Sequence, residues 1–307
     1  MEVAGINSVG GPIETIELAD PRSLAEDEVL IEVRAAGVAN WDEFVRTGEW
    51  DVGRKPPMAL GVAAAGVIAA VGEEVREWTP GDEILTHPLP LREQGTWAPS
   101  LIAPAALLAR RPEGVSWEVA AVFPVPALTA AQVIDETLGV NADDLVLVNG
   151  AGGVTGSVLV ELAAVRGAEV VATASPANHD RLTRLGASKL LDYHDAAWPE
   201  EARALGGGAG VSAAANAVSG GAADAIRTVR DGGRLATITS DPPSENGGIA
   251  VASVIVRPDG LQLAEMVELL AAGKLEIDVA ATFGLGEAGS ALAAAEAGHG
   301  GAVALLP

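Results

Sequence analysis

Hydrophobic and polar positions change their spacing twice along this chain. From Val29 to Val38 (VLIEVRAAGV) apolar and polar residues alternate, the spacing of a strand buried on one face. Gly61–Val71 (GVAAAGVIAAV) is small, apolar and interrupted by glycine, which predicts tight strands packed at a barrel. Gly81–Thr86, after the turn signal Thr79-Pro80-Gly81, and Thr96–Pro104 read as further short strands. After Pro126 the stretch ALTAAQVIDETLG predicts a helix that ends at Gly139. From Asp144 to Val256 the two spacings alternate. Strands are predicted at Leu145–Asn149, Glu169–Ser175, Lys189–Tyr193, Val211–Val218, Arg234–Thr239 and Ala252–Val256. Helices are predicted between them at Val154–Arg166, Ala177–Leu185, Pro199–Ala204 and Ala222–Arg230. Such alternation implies right-handed crossovers and a doubly wound parallel sheet, an α/β fold with helices on both faces. The polar loop Ser240–Gly248 is expected at the surface. The last part changes again: a helix at Leu261–Ala272, a strand-like LEIDVAATFGL and a final helix at Glu287–Ala297.

The sharpest change of pattern is Leu145–Ser157, LVLVNGAGGVTGS. An apolar run stops in glycines, and a helix-like stretch, SVLVELAAVRGA, follows. Strand, tight turn and helix is the order a dinucleotide pyrophosphate needs. Gly150 turns the chain, Gly153 lets the backbone approach the phosphates, and Gly156 lets the helix pack against the strand. The free N–H groups of the helix start then face the anion. Gly152, Val154 and Thr155 complete this candidate cofactor turn. The alternative is a glycine-rich loop that holds no ligand.

Composition narrows the chemistry. With 307 residues, 49% of them hydrophobic, the chain is long enough for two domains and too apolar for disorder. No apolar run reaches the roughly 18–20 residues of a membrane span. The start, MEVAGINSVGG, lacks a basic region followed by an apolar core, so no signal peptide is expected and a cytoplasmic location is the default. There is no cysteine, which removes disulfides, thiolate nucleophiles and cysteine-ligated zinc. The histidines, His87, His179, His194 and His299, are scattered without ligand spacing, so no metal site is expected. A net charge of −23 disfavours nucleic acid and anionic membranes as partners and leaves a small molecule. A pocket for a phosphorylated dinucleotide has to be a local positive exception to that field.

Several pieces, in order, resemble one family. They are GGP (Gly10–Pro12), EVLIEVRAAGV (Glu28–Val38), WDEFVRTG (Trp41–Gly48), LGVAAAGVIAAVG (Leu60–Gly72), GD (Gly81–Asp82) and ALTAAQ (Ala127–Gln132). NGAGGVTGS (Asn149–Ser157), GAEVVATAS (Gly167–Ser175), LGASKLLDY (Leu185–Tyr193), DGGRLATI (Asp231–Ile238), RPDG (Arg257–Gly260) and AAGKL (Ala271–Leu275) follow. Together they resemble the medium-chain dehydrogenase/reductase superfamily in its zinc-free quinone oxidoreductase branch. The resemblance implies a GroES-like, barrel-bearing catalytic domain at residues 1–118, to which 259–307 return, and a Rossmann NADP-binding domain at 119–258. It places the nicotinamide in the cleft between them. It also implies a homodimer paired through edge strands, a role that the β-branched ASVIV of Ala252–Val256 suits.

Zinc-dependent relatives carry a cysteine after the AxG turn and a histidine-glutamate pair after a later glycine. Here the matching places are Val38-Ala39 and Gly61-Val62-Ala63, none of which can bind a metal. Without zinc to acidify a hydroxyl, reduction of an already polarised acceptor is favoured over alcohol oxidation. NAD-specific sites usually place an acidic residue about 20 residues after the glycines. Here the second strand ends ATAS, and Ser175 can donate to a 2′-phosphate, with His179 and Arg181 just beyond. The resemblance adds Tyr193 as a contact to phosphate or adenine, and a lysine of relatives is replaced by Asn178. NADPH is the expected cofactor. The alternatives are an ordinary turn role for Ser175 and edge-strand packing for Tyr193.

On the substrate side the segment reads AGVANWDEF, with Asp42 retained and the relatives' asparagine replaced by Ala39. Trp41 and Trp50 are expected to wall the pocket, or else each caps a hydrophobic core. Asp42 is either catalytic or a structural hydrogen-bonding residue. Thr129 is either a nicotinamide contact or a helix N-cap. No general acid stands out; solvent can protonate an enolate or a hydroquinone anion. The expected activity is an NADPH-dependent, zinc-independent reduction of a quinone or an α,β-unsaturated carbonyl (enone or enoyl). A narrow biosynthetic enoyl reductase, or a dinucleotide-binding protein with little catalysis, is the alternative.

Overall fold

The computed structural model describes residues 1–243, 248–298 and 300–307. His299 and residues 244–247 of the polar loop Ser240–Gly248 lie outside the described residues. The elements, in chain order, begin with β1 (Glu2–Ile6), β2 (Glu14–Glu17), β3 (Glu28–Val38), α1 (Trp41–Thr47), β4 (Met58–Ala59), β5 (Ala64–Val71) and β6 (Glu83–Thr86). Then come β7 (Ser100–Pro104), β8 (Leu108–Arg110), α2 (Trp117–Val122), α3 (Pro124–Ala131), β9 (Leu145–Asn149), α4 (Val154–Val165), β10 (Glu169–Thr173), α5 (His179–Arg184) and β11 (Lys189–Leu191). The last are α6 (Trp198–Leu205), β12 (Val211–Asn216), α7 (Ala222–Thr228), β13 (Val229–Thr237), β14 (Ala250–Ser253), α8 (Gly260–Ala271), β15 (Val279–Gly284), α9 (Ala288–Ala297) and β16 (Ala302–Leu306). Two compact units result: Met1–Val125 with Arg257–Ala271 and Ile277–Pro307, and Pro126–Val256 with Ala272–Glu276.

The first unit is organised around β3. Its alternation puts Ile31, Val33 and Ala35 inside and Glu32 and Arg34 outside, as the sequence pattern predicts. One edge of β3 pairs with β5 along most of its length. The other edge is shared: Glu28–Glu32 pair with β7, and Ala36–Val38 with β16. Register shifts between Leu30 and Ile31 and between Val33 and Ala35 allow one strand to serve both partners, because a bulge bends the strand locally. At the start of β3, buried Glu28 accepts from the Arg22 guanidinium at 2.7 and 2.9 Å, which holds its carboxyl below the usual range. A separate three-stranded sheet, β2-β1-β4, completes the strands of this unit among the described residues.

The second unit is a six-stranded parallel sheet in the order β11-β10-β9-β12-β13-β14. Its central strands lack polar positions except at their ends: β9 reads LVLVN and β12 reads VSAAAN. That composition belongs to strands covered on both faces. Leu147, Val171, Val211, Ala214 and Leu235 form one cluster with Trp198 and Ala202 of α6 and Ala225 of α7.

Several boundaries differ from the sequence pattern. The helix expected after Pro126 begins at Pro124 and closes as a π-helical turn, Gln132–Thr137, in which Leu138 N–H donates to Val133 C=O at 2.9 Å. β11 ends at Leu191, two residues before Tyr193. The edge strand lies at Ala250–Ser253 rather than Ala252–Val256. β13 begins five residues early, at Val229, because its N-terminal half pairs with Val211 across a shift in register.

Trp198 is buried within this cluster. Trp198→Ala is expected to cost about 3–5 kcal/mol, read as a lower urea midpoint, because the large cavity cannot be refilled.

Candidate functional site

The strand order of the second unit reverses at β9, which has β10 on one side and β12 on the other. In open parallel sheets a ligand crevice forms at the carboxyl end of such a strand. β9 ends there in Asn149 and the glycine turn. Gly150 has φ +84°, and a β-carbon on it would lie 2.4 Å from Val218 Cγ2. A β-carbon on Gly156 would lie 2.1 Å from Gly150 O, so α4 closes directly on the turn itself rather than on the strand. Gly153 differs: a β-carbon there would meet only Gly150 O, at 3.6 Å. Packing within the protein does not require glycine at Gly153. No side chain caps α4, whose N-cap is Gly153. The first N–H groups of the helix, Val154 and Thr155 among them, have no partner within the helix and suit an anion.

A row of buried polar side chains runs across the strand ends beneath this turn. Thr173 Oγ1 donates to Asn149 Oδ1 at 2.7 Å and accepts from Gly150 N–H at 3.0 Å. Asn149 Nδ2 donates to Asn216 Oδ1 at 2.9 Å. Asn216 Nδ2 donates in turn to Thr237 Oγ1 and Thr239 Oγ1, both at 3.1 Å. Both threonines donate to Asp241 Oδ1, at 2.7 and 2.6 Å. Burial pushes the Asp241 carboxyl up, but these bonds and the N–H of Ala222 outweigh it and hold it below its usual range. The sequence reading missed this row. Its signal was one polar residue closing each of several apolar strands: LVLVN, EVVAT, VSAAAN.

At the end of β10 the predicted cofactor residues come together. Asn178 Nδ2 donates to Ser175 Oγ at 3.1 Å. Arg181 Nη2 donates to Gly152 O at 2.9 Å and to Asn178 Oδ1 at 3.4 Å, tying the second strand's loop to the glycine turn. His179 Nε2 lies 3.2 Å from Ala174 O. No carboxylate occurs between Thr173 and His179. Tyr193 is past the end of β11, 51% exposed, with its ring 4.2 Å from that of His194. Packing within an edge strand is therefore not its role.

The first unit holds the substrate-side candidates. Trp41 opens α1, and both it and Trp50 are half-buried, so neither caps a sealed core. Asp42 is fully buried and accepts from Ala39 N–H at 2.9 Å through Oδ2, while Oδ1 has no partner among the described residues. Burial pushes its carboxyl up to about 8, so it is protonated at neutral pH. Thr129 belongs to the second unit, where it is buried inside α3, five residues past the helix start; it is not an N-cap. The sequence reading placed no histidine with these residues. The structure puts His87 here, its ring 6.3 Å from that of Trp50 and its Nδ1 2.6 Å from Val62 O.

Residues 25–113 match the alcohol dehydrogenase GroES-like domain, and residues 185–301 the zinc-binding dehydrogenase family. An erythronolide synthase of Saccharopolyspora erythraea is 36% identical over 200 residues, 64% of this chain and only 5% of the synthase. A trans-enoyl reductase of Aspergillus terreus is 31% identical over 206 residues, 61% of this chain and 66% of the reductase. Three solved structures match over the full length of both chains. They are an NAD-dependent alcohol dehydrogenase (TM-score 0.90, 28% identity), a mycobacterial quinone oxidoreductase (0.83, 27%) and a mycobacterial protein solved with NADPH (0.88, 27%). This chain belongs to the medium-chain dehydrogenase/reductase superfamily. It falls in the quinone oxidoreductase-like branch, with a GroES-like unit and a Rossmann unit, and it spans only a small part of the length of the synthase it matches.

Gly61, one of the places that the sequence reading matches to zinc ligands in relatives, is tightly packed. Gly61 has φ +89°, and a β-carbon on it would lie 2.3 Å from Trp97 Cδ1 and 2.4 Å from Thr96 Oγ1. Trp97 Nε1 donates to Gly37 O at 2.9 Å, and Gly37 N–H to Ala63 O at 3.0 Å. Among the described residues no group of three or more His, Asp or Glu side chains is arranged to hold a metal.

The buried acid sets a pH dependence. An unfolded Asp42 ionises near 4, the folded one only near 8, so stability falls as pH rises through that window. Asp42→Asn keeps an acceptor for Ala39 N–H and removes the ionisation. The variant should gain on the wild type progressively from pH 4 to 8, by up to about 5 kcal/mol, in urea unfolding at fixed pH values. A constant difference across that range would show that Asp42 is not the titrating group.

Proposed function

We propose that this protein is an NADPH-dependent oxidoreductase that transfers hydride to a quinone or an α,β-unsaturated carbonyl, enoyl thioesters included. The observation that carries the reading is the cluster at the end of β10. Ser175, Asn178 and Arg181 are hydrogen-bonded together beside Gly152, with no carboxylate to repel a 2′-phosphate. The uncapped start of α4 and the unobstructed Gly153 suit the pyrophosphate. When bound, NADPH supplies the hydride. Ser175 offers a hydroxyl and Arg181 a guanidinium to the 2′-phosphate, while Tyr193, half-exposed on the neighbouring loop, is available to the adenine. On the substrate side, Trp41 and Trp50 furnish apolar walls and Asp42 a neutral, proton-bearing carboxyl. Thr129 is proposed as a contact to the nicotinamide. The work of such a site is orientation of hydride donor and acceptor.

The mycobacterial neighbour solved with NADPH supports the cofactor, and the quinone oxidoreductase and trans-enoyl reductase relatives support the acceptor class. The edge strand β14, half-exposed and followed by Ile255 at 69% exposure, is proposed to pair with a second copy in a homodimer.

NADPH oxidation with 9,10-phenanthrenequinone and with 2-cyclohexenone, with NADH in parallel, tests the reading. Turnover should prefer NADPH. In Ser175→Asp the new carboxylate faces the 2′-phosphate, so KM for NADPH should rise roughly tenfold or more while KM for NADH falls or holds. Tight NADPH binding without turnover on any acceptor would instead favour a dinucleotide-binding protein with little catalysis.

A further inference from the structure

The row of polar side chains at the strand ends has a direction. Its first group, Gly150 N–H, can only donate, and its last, the ionised Asp241 carboxylate, can only accept. Thr173 gives its single proton to Asn149 Oδ1 and so presents a lone pair to Gly150 N–H. Asn149 passes the sense on by donating to Asn216 Oδ1, and Asn216 by donating to Thr237 and Thr239. Both hydroxyls then donate to one oxygen, Asp241 Oδ1, at 2.7 and 2.6 Å, the short lengths of bonds to a charged acceptor. Every link therefore points away from the glycine turn, across β10, β9, β12 and β13, and bonds in such a chain strengthen one another. The middle has a second hold, because Asn216 Nδ2 also donates to Val218 O at 2.9 Å.

The row ends on the residue that carries the start of α4. Gly153, the N-cap, donates its N–H to Gly150 O at 3.2 Å. Gly150 is thus gripped through its N–H and holds the helix start on its carbonyl. Without the carboxylate the two hydroxyls lose their shared acceptor. Thr237 is then free to turn its proton towards Asn216 Nδ2, donor against donor. We infer that Asp241 is a positioning residue for the cofactor: by taking the threonine protons it sets the direction of the row, and so keeps the Thr173 lone pair on Gly150 N–H three strands away. The inference rests on the reading of the glycine turn as the pyrophosphate site. Asp241 itself touches no cofactor in this role.

Two neighbouring amides separate positioning from general loosening. Gly150 N–H bonds the Thr173 hydroxyl, whereas Ala151 N–H bonds the Thr173 carbonyl at 3.1 Å, outside the row. Hydrogen exchange of both is followed by NMR in the full chain without cofactor. Affinities are measured for NADPH and for adenosine 2′-monophosphate, which has no pyrophosphate. In Asp241→Ala, Gly150 should exchange roughly tenfold faster, the worth of about one hydrogen bond, while Ala151 keeps its protection. NADPH should bind roughly tenfold more weakly and adenosine 2′-monophosphate as before. Asp241→Asn keeps an acceptor oxygen and should restore most of both losses. If the alanine variant does not fold, Thr239→Val, at a half-buried position, removes one of the two bonds to the carboxylate and should move Gly150 the same way by less. Equal acceleration at Gly150 and Ala151 would overturn the inference. So would unchanged exchange at Gly150, the result expected if Val218 alone holds Asn216. A freed Gly150 amide with unchanged NADPH affinity would overturn it through the reading of the turn rather than through the row, so the two failures are told apart.

Discussion

The Rossmann unit depends on the row of hydrogen bonds that closes its strands. A parallel sheet buried on both faces is apolar along its length, but its carboxyl ends must meet a polar ligand. Thr173, Asn149, Asn216 and Thr237 occupy that boundary, and the first three are aligned pairwise by the sheet register. Each is buried, so each would be costly without a partner. Joined in a chain, they are satisfied without water. The chain also fixes the glycine turn, because Thr173 takes Gly150 N–H on its hydroxyl and Ala151 N–H on its carbonyl. The turn is thus held from below by the sheet and from the side by Arg181. The helix start arrives at the crevice already positioned.

The GroES-like unit uses the opposite strategy around α1 and Trp50. Its two buried ionisable groups near Trp50 and α1 are not joined in a network. Asp42 and His87 each commit one polar atom to a backbone group, and the other has no partner among the described residues. Both are driven to the neutral state, one by keeping its proton and the other by refusing a second. These two positions are therefore uncharged at neutral pH, in a protein whose net charge is −23.

Legibility in the sequence followed the range of the interactions. β9 was readable to the residue, because LVLVN followed by glycines carries its own start and stop. The alternation of β3 was equally plain. What local pattern could not give was anything fixed by a distant partner. The β13 boundary depends on Val211, a strand away. Ser175, Asn178 and Arg181 were visible as candidates, but the bond from Arg181 to Gly152 that assembles them spans 29 residues. His87 looked like one of several scattered histidines because its partner is a main-chain carbonyl, which has no residue identity to read. Tyr193 sat in an apolar run that suggested a strand, yet the parallel partner strand β10 stops at Thr173, opposite Leu191, and the tyrosine falls outside.

The π-helical turn at Gln132–Thr137 marks where the chain carries one residue more than an ordinary helix would hold. Dropping a single residue there would let the backbone relax towards regular α-geometry. Kinship across this superfamily should accordingly be traced through α3 with a one-residue gap permitted inside the helix.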